Sequence, residues 1–289
     1  MPPVSRSGFL ADSEPESGMV ELDRLSPTRR PKRNPVGYQN WHSLAFLHWR
    51  ISPDRLATML PSDLVVDTFD GSAWVGLVPF HMTGVRPWWF PAVPGVSAFH
   101  ETNVRTYVHR DGVPGVWFFS LDAASRLAVW IARARWRLAY HHSRMRVERM
   151  EDERGKRVVY SSRRGGRGTE TPGIAGPGLP GVGLDLEIEL DDAPGLAGLD
   201  EAGHAIPGTL EHFLVERYVL FTHDPSGRSS KLFSGQVHHV PYPVRPARVL
   251  MFQDSLVQAA GIEISGPPEH VAFCEGVEVE IFGLEPLAT

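Results

Sequence analysis

Between Phe99 and Val108 the chain places an acid, an amide, a guanidinium and a phenol at alternate positions: Glu101, Asn103, Arg105 and Tyr107. Side chains on a strand point to opposite sides with period two, so these four share one face while Thr102, Val104, Thr106 and Val108 share the other. Turned inward in a closed sheet, such a face would line a polar pocket. Arg105 offers a fork for a carboxylate, and Asn103 an amide that orients a ligand. Glu101 has two possible roles. Held ionised by Arg105, it would orient a ligand donor; raised in pKa by desolvation, it would act as a general acid or base. The same residues could also form a buried ion pair and hydrogen-bond network that satisfies a polar core. Tyr140, His142 and His239 are further ligand-binding candidates from later segments, and Tyr107, Tyr140 and His142 are candidates for handling protons.

Several elements must hold this strand in place. Arg110-Asp111-Gly112 predicts a turn, and residues 115–121 its antiparallel neighbour. Asp122 then reads as the cap of a helix in which Leu127, Trp130 or Ile131, Ala134 and Leu138 recur at helical spacing. Upstream, Ser52-Pro53-Asp54 opens a short helix to about Leu60. Residues 64–80, broken by Asp70-Gly71, read as a hairpin or two strands. Pro87 to Pro94, with Trp88, Trp89 and Phe90 between them, is expected to be an ordered apolar loop, serving as a core plug or a ligand lid. Downstream, residues 144–150 and 157–162 alternate as a hairpin. Residues 183–191 form a half-buried strand with Asp185, Glu187 and Glu189 toward water. Thr209 caps a helix over 210–217, strands are expected near 218–222, 231–240 and 271–282, and a helical stretch near 254–260.

Composition bounds the rest. The chain has 289 residues, 42% hydrophobic and 22% charged, the balance of a soluble globular protein, and its 28 Gly and 25 Pro call for many turns. This favours a β-rich α+β fold. A net charge of −5 argues against nucleic acid as a partner. No apolar run approaches the roughly 20 residues of a membrane helix, so no membrane partner is expected. The lone cysteine, Cys274, excludes an intrachain disulfide and fits a reducing cytoplasm. Residues 1–37, rich in proline with acidic and then basic clusters, read as a disordered tail, leaving 38–289 as a single domain with a Gly/Pro-rich loop at 163–183.

Within that domain an ordered series of motifs supports a family resemblance. Trp41 with Phe46-Leu-His-Trp49, Leu60-Pro61, Asp70-Gly-Ser-Ala-Trp-Val-Gly-Leu-Val-Pro-Phe80, residues 101–108, residues 115–123 and Phe213-Leu-Val-Glu-Arg-Tyr218 together resemble the bacterial YqjF-like family, DUF2071. The resemblance implies an acetoacetate-decarboxylase-like fold: an antiparallel barrel or cone around an internal cavity, with a few short helices. It also implies that Glu101 corresponds to an acidic residue of the decarboxylase cavity. The family itself carries no settled reaction.

That resemblance sets a chemical test. Acetoacetate decarboxylases use a lysine Schiff base, and an amine does so at neutral pH only when its pKa is depressed. The corresponding region, about 133–145, has Tyr140, His141 and His142 but no lysine. The whole chain has only Lys32, Lys156 and Lys231, and of these only Lys231 could approach a pocket. Arginine is no substitute because it stays protonated. Among 13 histidines, one ring from each of the pairs His141-His142 and His238-His239 could join Glu101 in a three-ligand metal site with an open position. No His-Glu-x-x-His spacing supports it, so no metal is expected, and no cofactor either. The resulting expectation is a cytoplasmic protein, open to homo-oligomerisation, that binds a small organic carboxylate or carbonyl compound without Schiff-base decarboxylation. The alternative is an enzyme of lyase or hydratase type with Glu101 as general acid or base.

Overall fold

A computed structural model describes residues 22–130, 138–153, 155–165, 181–190, 195–223 and 231–287. Strands dominate it: β1 (Gly37–Ile51), β2 (Val65–Val66), β3 (Ala73–Pro87), β4 (Phe99–Arg110), β5 (Val113–Ala123), β6 (Tyr140–Asp152) and β7 (Gly155–Arg164). After them come β8 (Gly183–Glu189), β9 (Val219–His223), β10 (Leu232–His238), β11 (Val244–Pro246), β12 (Arg248–Asp254), β13 (His270–Ile281) and β14 (Glu285–Pro286). The helices are short: α1 (Pro53–Ala57), α2 (described over residues 126–130), α3 (Leu210–Val215) and α4 (Leu256–Ala259).

Pairing runs from β5 through β9, β10, β13, β1 and β3 to β4, and β4 pairs back onto β5. Two joins in this circuit are narrow. The β5–β9 join rests on Val116↔Leu220 and Trp117↔Phe221, and the β10–β13 join on Val237↔Ile281 and His238↔Glu280. An arm of β6, β7, β8 and β12 continues from β5. The sheet is mixed where an antiparallel one was expected, because β5 is parallel to both β6 and β9. Parallel neighbours require a crossover of a dozen or more residues, and the segment carrying α2 supplies it between β5 and β6.

The period-two alternation of β1 divides the core. Leu44 and Phe46 pack with Phe80, Phe213, Tyr242 and Cys274 on the inner side of the circuit. Ala45, Leu47 and Trp49 pack with Val158, Leu184, Leu186 and Phe273, so the arm covers the outer side of β1. Each large side chain buried in this way contributes about 1.5–3 kcal/mol. With both faces apolar, β1 is mostly hydrophobic from Leu44 to Trp49 rather than alternating.

Several local expectations change. Asp70 and Gly71 do form a positive-φ turn, and of the two expected arrangements residues 64–80 take the two-strand one, because β2 pairs with β4 instead of β3. Asp122 caps nothing. It is buried in β5, where it accepts two hydrogen bonds of 2.8 Å from Arg164 and one from Ser143, while Ser125 Oγ accepts from the Ala128 N–H in α2. The acids of β8 are ion-paired rather than free in water: Glu187 with Arg157, Asp185 with Arg163 and Glu189 with Arg248. Trp88 and Trp89 are 65% and 68% exposed, so the 87–94 segment plugs no core. It ends in a turn in which the Val93 carbonyl accepts from the Val96 and Ser97 N–H groups and Ser97 Oγ accepts from the Val93 N–H, while the Ser97 carbonyl accepts from Val85 of β3.

The expected tail over 1–37 divides. Residues 1–21 lie outside the described residues. Residues 22–36 lie against the domain: Arg24 forms two hydrogen bonds of 2.6 Å to Asp67, Arg30 pairs with Glu280, and Arg30 and Arg33 lie over the Phe282 ring. The basic run from Arg24 to Arg33 thus meets acidic residues of the domain, the second of the two readings open to it beside a solvated charge run. Residues 166–180 of the Gly/Pro-rich loop also lie outside the described residues.

Candidate active site

Strand β4 lies between β3 and β5, and its polar row turns to the inner side of the circuit. Glu101, Asn103, Arg105 and Tyr107 are all buried, as are Thr102, Val104, Thr106 and Val108 on the opposite face. The polar residues are inside because their strand register places them there; the circuit must then satisfy them.

Glu101 is satisfied by Tyr140, whose hydroxyl donates to Oε2 at 2.7 Å. Cross-strand pairing explains the meeting. Glu101 pairs with Ala123 on β5, and the parallel register Leu121↔Tyr140, Ala123↔His142 turns both β6 side chains to the same side. Desolvation raises the Glu101 pKa to about 8, against the lowering effect of the Tyr140 hydrogen bond, with the nearby Asp122 charge adding to the rise. Tyr140 is pushed well above the usual phenol range by burial and by Glu101. His142 does not join them. Its half-buried ring lies by the Ala124 backbone and near the Arg126 and Arg144 charges, and burial lowers its pKa.

Arg105 is 8% exposed and donates from Nη2 to the Leu214 carbonyl at 3.2 Å. Its guanidinium also lies over the rings of Phe46 and Tyr107. Among the described residues no carboxylate pairs with it, and its Nε–H has no acceptor. The other two buried arginines among the described residues differ: Arg164 pairs with Asp122, and Arg217 with Asp67. The Asn103 Oδ1 beside it on the same face is also buried without a partner.

The Tyr107 hydroxyl reaches the same Leu214 carbonyl at 2.8 Å and meets His48 Nε2 at 2.7 Å. His48 Nδ1 in turn meets His270 Nδ1 at 2.9 Å. These two histidines were absent from the candidates read in the sequence. His48 lies within the Phe46-Leu-His-Trp49 motif on the parity of Phe46, which is the signal that could have exposed it.

His239 is buried and stacked on Tyr218 with centroids 4.4 Å apart, and its ring centroid is 4.2 Å from that of Tyr242. Tyr242 touches Phe46, which lies beneath the Arg105 guanidinium, so His239 joins the Arg105 group through two aromatic rings. Its Nδ1–H donates to the Val240 carbonyl at 2.7 Å, leaving an Nε2 lone pair buried and unpartnered. Desolvation lowers its pKa to about 4, so the ring is neutral.

All three lysines are exposed, which leaves the polar row without an amine nucleophile. Among the described residues no three His, Cys, Asp or Glu side chains are grouped to hold a metal ion. On α3, His212 lines an open groove of about 580 Å³ with residues 22–25, Pro207 and Gly208. A smaller cavity of about 10 Å³ adjoins His212, Glu216, Arg217 and Tyr218.

Solved structures supply the class: this is an acetoacetate-decarboxylase-like fold. The enduracididine biosynthesis enzyme MppR complexed with pyruvate matches with a TM-score of 0.57 over 89% of this chain and 92% of its own, at 12% identity. An acetoacetate decarboxylase-like enzyme from Sphingomonas wittichii RW1 matches with a TM-score of 0.57 over 89% and 95%, at 13% identity. The acetoacetate decarboxylase of Legionella pneumophila matches with the same score over 96% and 98%, at 12% identity. At such identities the likeness establishes the fold alone. The chain belongs to the DUF2071 family of uncharacterised conserved proteins, whose signature matches residues 38–278. It is 33% identical over 236 residues to the uncharacterised protein YqjF of Bacillus subtilis (strain 168), covering 81% of this chain and 86% of that one.

Proposed function

We propose that this protein binds a small organic carboxylate or carbonyl compound on the inner polar face of β4, with Arg105 taking the carboxylate. The observation that carries this reading is the buried Arg105 guanidinium, unpaired with any carboxylate among the described residues while Arg164 and Arg217 each have one. A buried charge is stable only when paired and hydrogen-bonded, and a ligand carboxylate would complete the set. Asn103 Oδ1 and His239 Nε2 are acceptors that would take a hydroxyl or enol proton of the same ligand. The pyruvate bound by MppR makes a 2-oxo acid the first compound to try. Lysine Schiff-base decarboxylation is not part of the proposal, because no lysine faces this site. The setting proposed is cytoplasmic, where the one buried thiol, Cys274, stays reduced.

The test is thermal unfolding of the wild type and Arg105→Met against pyruvate and a panel of small carboxylates, ketones and aromatic acids. A ligand at 100 times its Kd adds about 2.7 kcal/mol of stability. A rise in Tm seen with the wild type and lost in a folded Arg105→Met supports the reading. Equal rises in both proteins, or none with any compound, would reject it.

One observation favours a catalytic form of the same site. Glu101 holds its proton to about pH 8 beside a Tyr140 hydroxyl, the condition for a general acid or base near neutrality. Lyase or hydratase chemistry on the bound carboxylate would use it. Such turnover would show a pH–rate limb near 8 that disappears in Glu101→Gln.

A further inference from the structure

Three buried groups on strands distant in sequence form one hydrogen-bonded line: Tyr107 on β4, His48 on β1 and His270 on β13, with links of 2.7 Å and 2.9 Å. Each neutral imidazole has one donor and one acceptor nitrogen. The two Nδ1 atoms face each other, so one must donate and the other accept. If the Tyr107 hydroxyl donates to the Leu214 carbonyl, its oxygen accepts from His48 Nε2–H; His48 Nδ1 then accepts from His270 Nδ1–H, and His270 Nε2 keeps a lone pair. That nitrogen is buried and unpartnered, which is compatible with either tautomer. Reversing every link gives the second state, in which Tyr107 turns its one hydrogen from the Leu214 carbonyl to His48, His48 donates to His270, and His270 Nε2 carries the hydrogen; Arg105 Nη2 still donates to that carbonyl. The site thus has two tautomeric states that differ by moving protons along one line. Both rings need to be neutral for this. Burial lowers His48 well below the usual imidazole range, with the His270 and Arg105 charges adding to the fall, and it lowers His270 to about 4.

The ends of the line point to its use. Tyr107 shares the Leu214 carbonyl with Arg105, which places its hydroxyl beside the carboxylate fork. His270 opens β13 next to the exposed Glu269, whose backbone N–H donates to the His48 carbonyl. We infer that Tyr107, His48 and His270 form a proton relay between the rim of the strand circuit and the ligand held on Arg105. This rests on the proposed binding reading for the identity of its inner end, but not for the relay itself. His270 Nε2 is closed off from water in the folded structure, so the outer step needs a local opening at the start of β13. In the inward direction a proton from the admitted water then joins His270 Nε2, and His270 Nδ1–H passes to His48 Nδ1. His48 Nε2–H then passes to the Tyr107 oxygen, and the Tyr107 proton passes to an oxygen or carbanionic carbon of the ligand. One proton enters, one is delivered, and every group in the line stays neutral. Tyr107 is the donor, and the histidines act through it.

The experiment needs no ligand, so its outcome is separate from that of the binding assay. Full-length protein with 15N-labelled histidine is transferred into D2O near pH 7, and the loss of the His48 ring N–H signal is followed by NMR in the wild type and His270→Asn. A side-chain amide has no second nitrogen through which to pass a proton, so a relay predicts exchange slowed about tenfold or more in His270→Asn. If the line is only a structural brace, cutting it loosens the packing and exchange becomes faster; faster or unchanged exchange overturns the relay. If His270→Asn fails to fold, His270→Gln is read in the same way. The wild type carries a second check, since an imidazolium at either ring near pH 7 leaves two donors facing each other between the Nδ1 atoms and overturns the relay by itself.

Discussion

The Tyr140 hydroxyl donates to Glu101 Oε2 at 2.7 Å, across the one strand, β5, that separates their own strands. This bond opposes desolvation and does not overcome it: the Glu101 pKa is raised to about 8 from an ordinary 4.5. Between those two values the folded chain holds a proton that the unfolded chain has released. Stability therefore falls as pH rises through the window, and the loss is complete above about pH 8. Glu101→Gln removes this dependence and keeps an oxygen for Tyr140. The stability difference between wild type and Glu101→Gln, from urea unfolding, should move against the wild type by about 2–4 kcal/mol between pH 5 and pH 8. A difference that stays constant over that range would mean that Glu101 is ionised in the folded protein.

The buried histidines act in the opposite direction. His239 and His270 are both lowered to about 4 by desolvation, against an ordinary 6.5. Between pH 6.5 and 4 the unfolded chain takes up protons that the folded chain refuses, so their contribution to stability is lost as pH falls below 6.5. In a Glu101→Gln background, where the carboxyl no longer offsets the effect, these two rings alone should take about 2–3 kcal/mol of stability per pH unit between pH 6 and 5, and the lowered His48 steepens the same fall. Denaturant midpoints that do not change from pH 7 to 5 would contradict the neutral buried rings.

Asp67 holds two guanidinium groups, Arg24 through two bonds of 2.6 Å and Arg217 at 2.9 Å. The two partners differ in burial, with side-chain exposures of 26% for Arg24 and 3% for Arg217. Asp67→Asn strands the buried Arg217 and should destabilise the protein by about 3–5 kcal/mol. Arg24→Gln leaves the inner pair intact and should cost about 1 kcal/mol, chiefly by releasing residues 22–28 from the fold. Chemical unfolding of both variants separates the two effects. Equal losses would mean that the outer pair is as important as the inner one.

The polar row was legible because it needs only the period of a strand: Glu101, Asn103, Arg105 and Tyr107 sit on one face for the reason their spacing suggests. Tyr140 was within reach of the same reasoning through its place after the crossover. His48 and His270 were not. They are 222 positions apart and meet only through the β1–β13 register, which nothing local specifies. Asp122 misled for a related reason: an acid before a helical period reads as a cap, and its actual partner, Arg164, comes 42 residues later. Trp88 and Trp89 misled in another way, since aromatic content predicts burial on average and says nothing of a loop held to the strands by its backbone with its rings in water. The parallel placement of β5 beside β6 and β9 depends on crossovers, which alternation along a strand does not encode.

Gly76 ties the ligand face to the histidine line. It pairs with His48 on one side and Arg105 on the other, and a Cβ there would lie 3.0 Å from His48 Cδ2 and 3.3 Å from Arg105 Cγ. Its hydrogen lets both side chains settle over the strand. Gly76→Ala would require both to yield by a few tenths of an ångström, an overpacking expected to cost about 1–3 kcal/mol. The displacement falls on the Tyr107–His48 bond and on the Arg105 fork together. Gly76→Ala should therefore weaken any carboxylate-dependent rise in Tm and also change the exchange of the His48 ring proton, although it alters no functional group. If both readouts match the wild type, the strand has room that this packing denies, and Gly76 is a matter of backbone pairing alone.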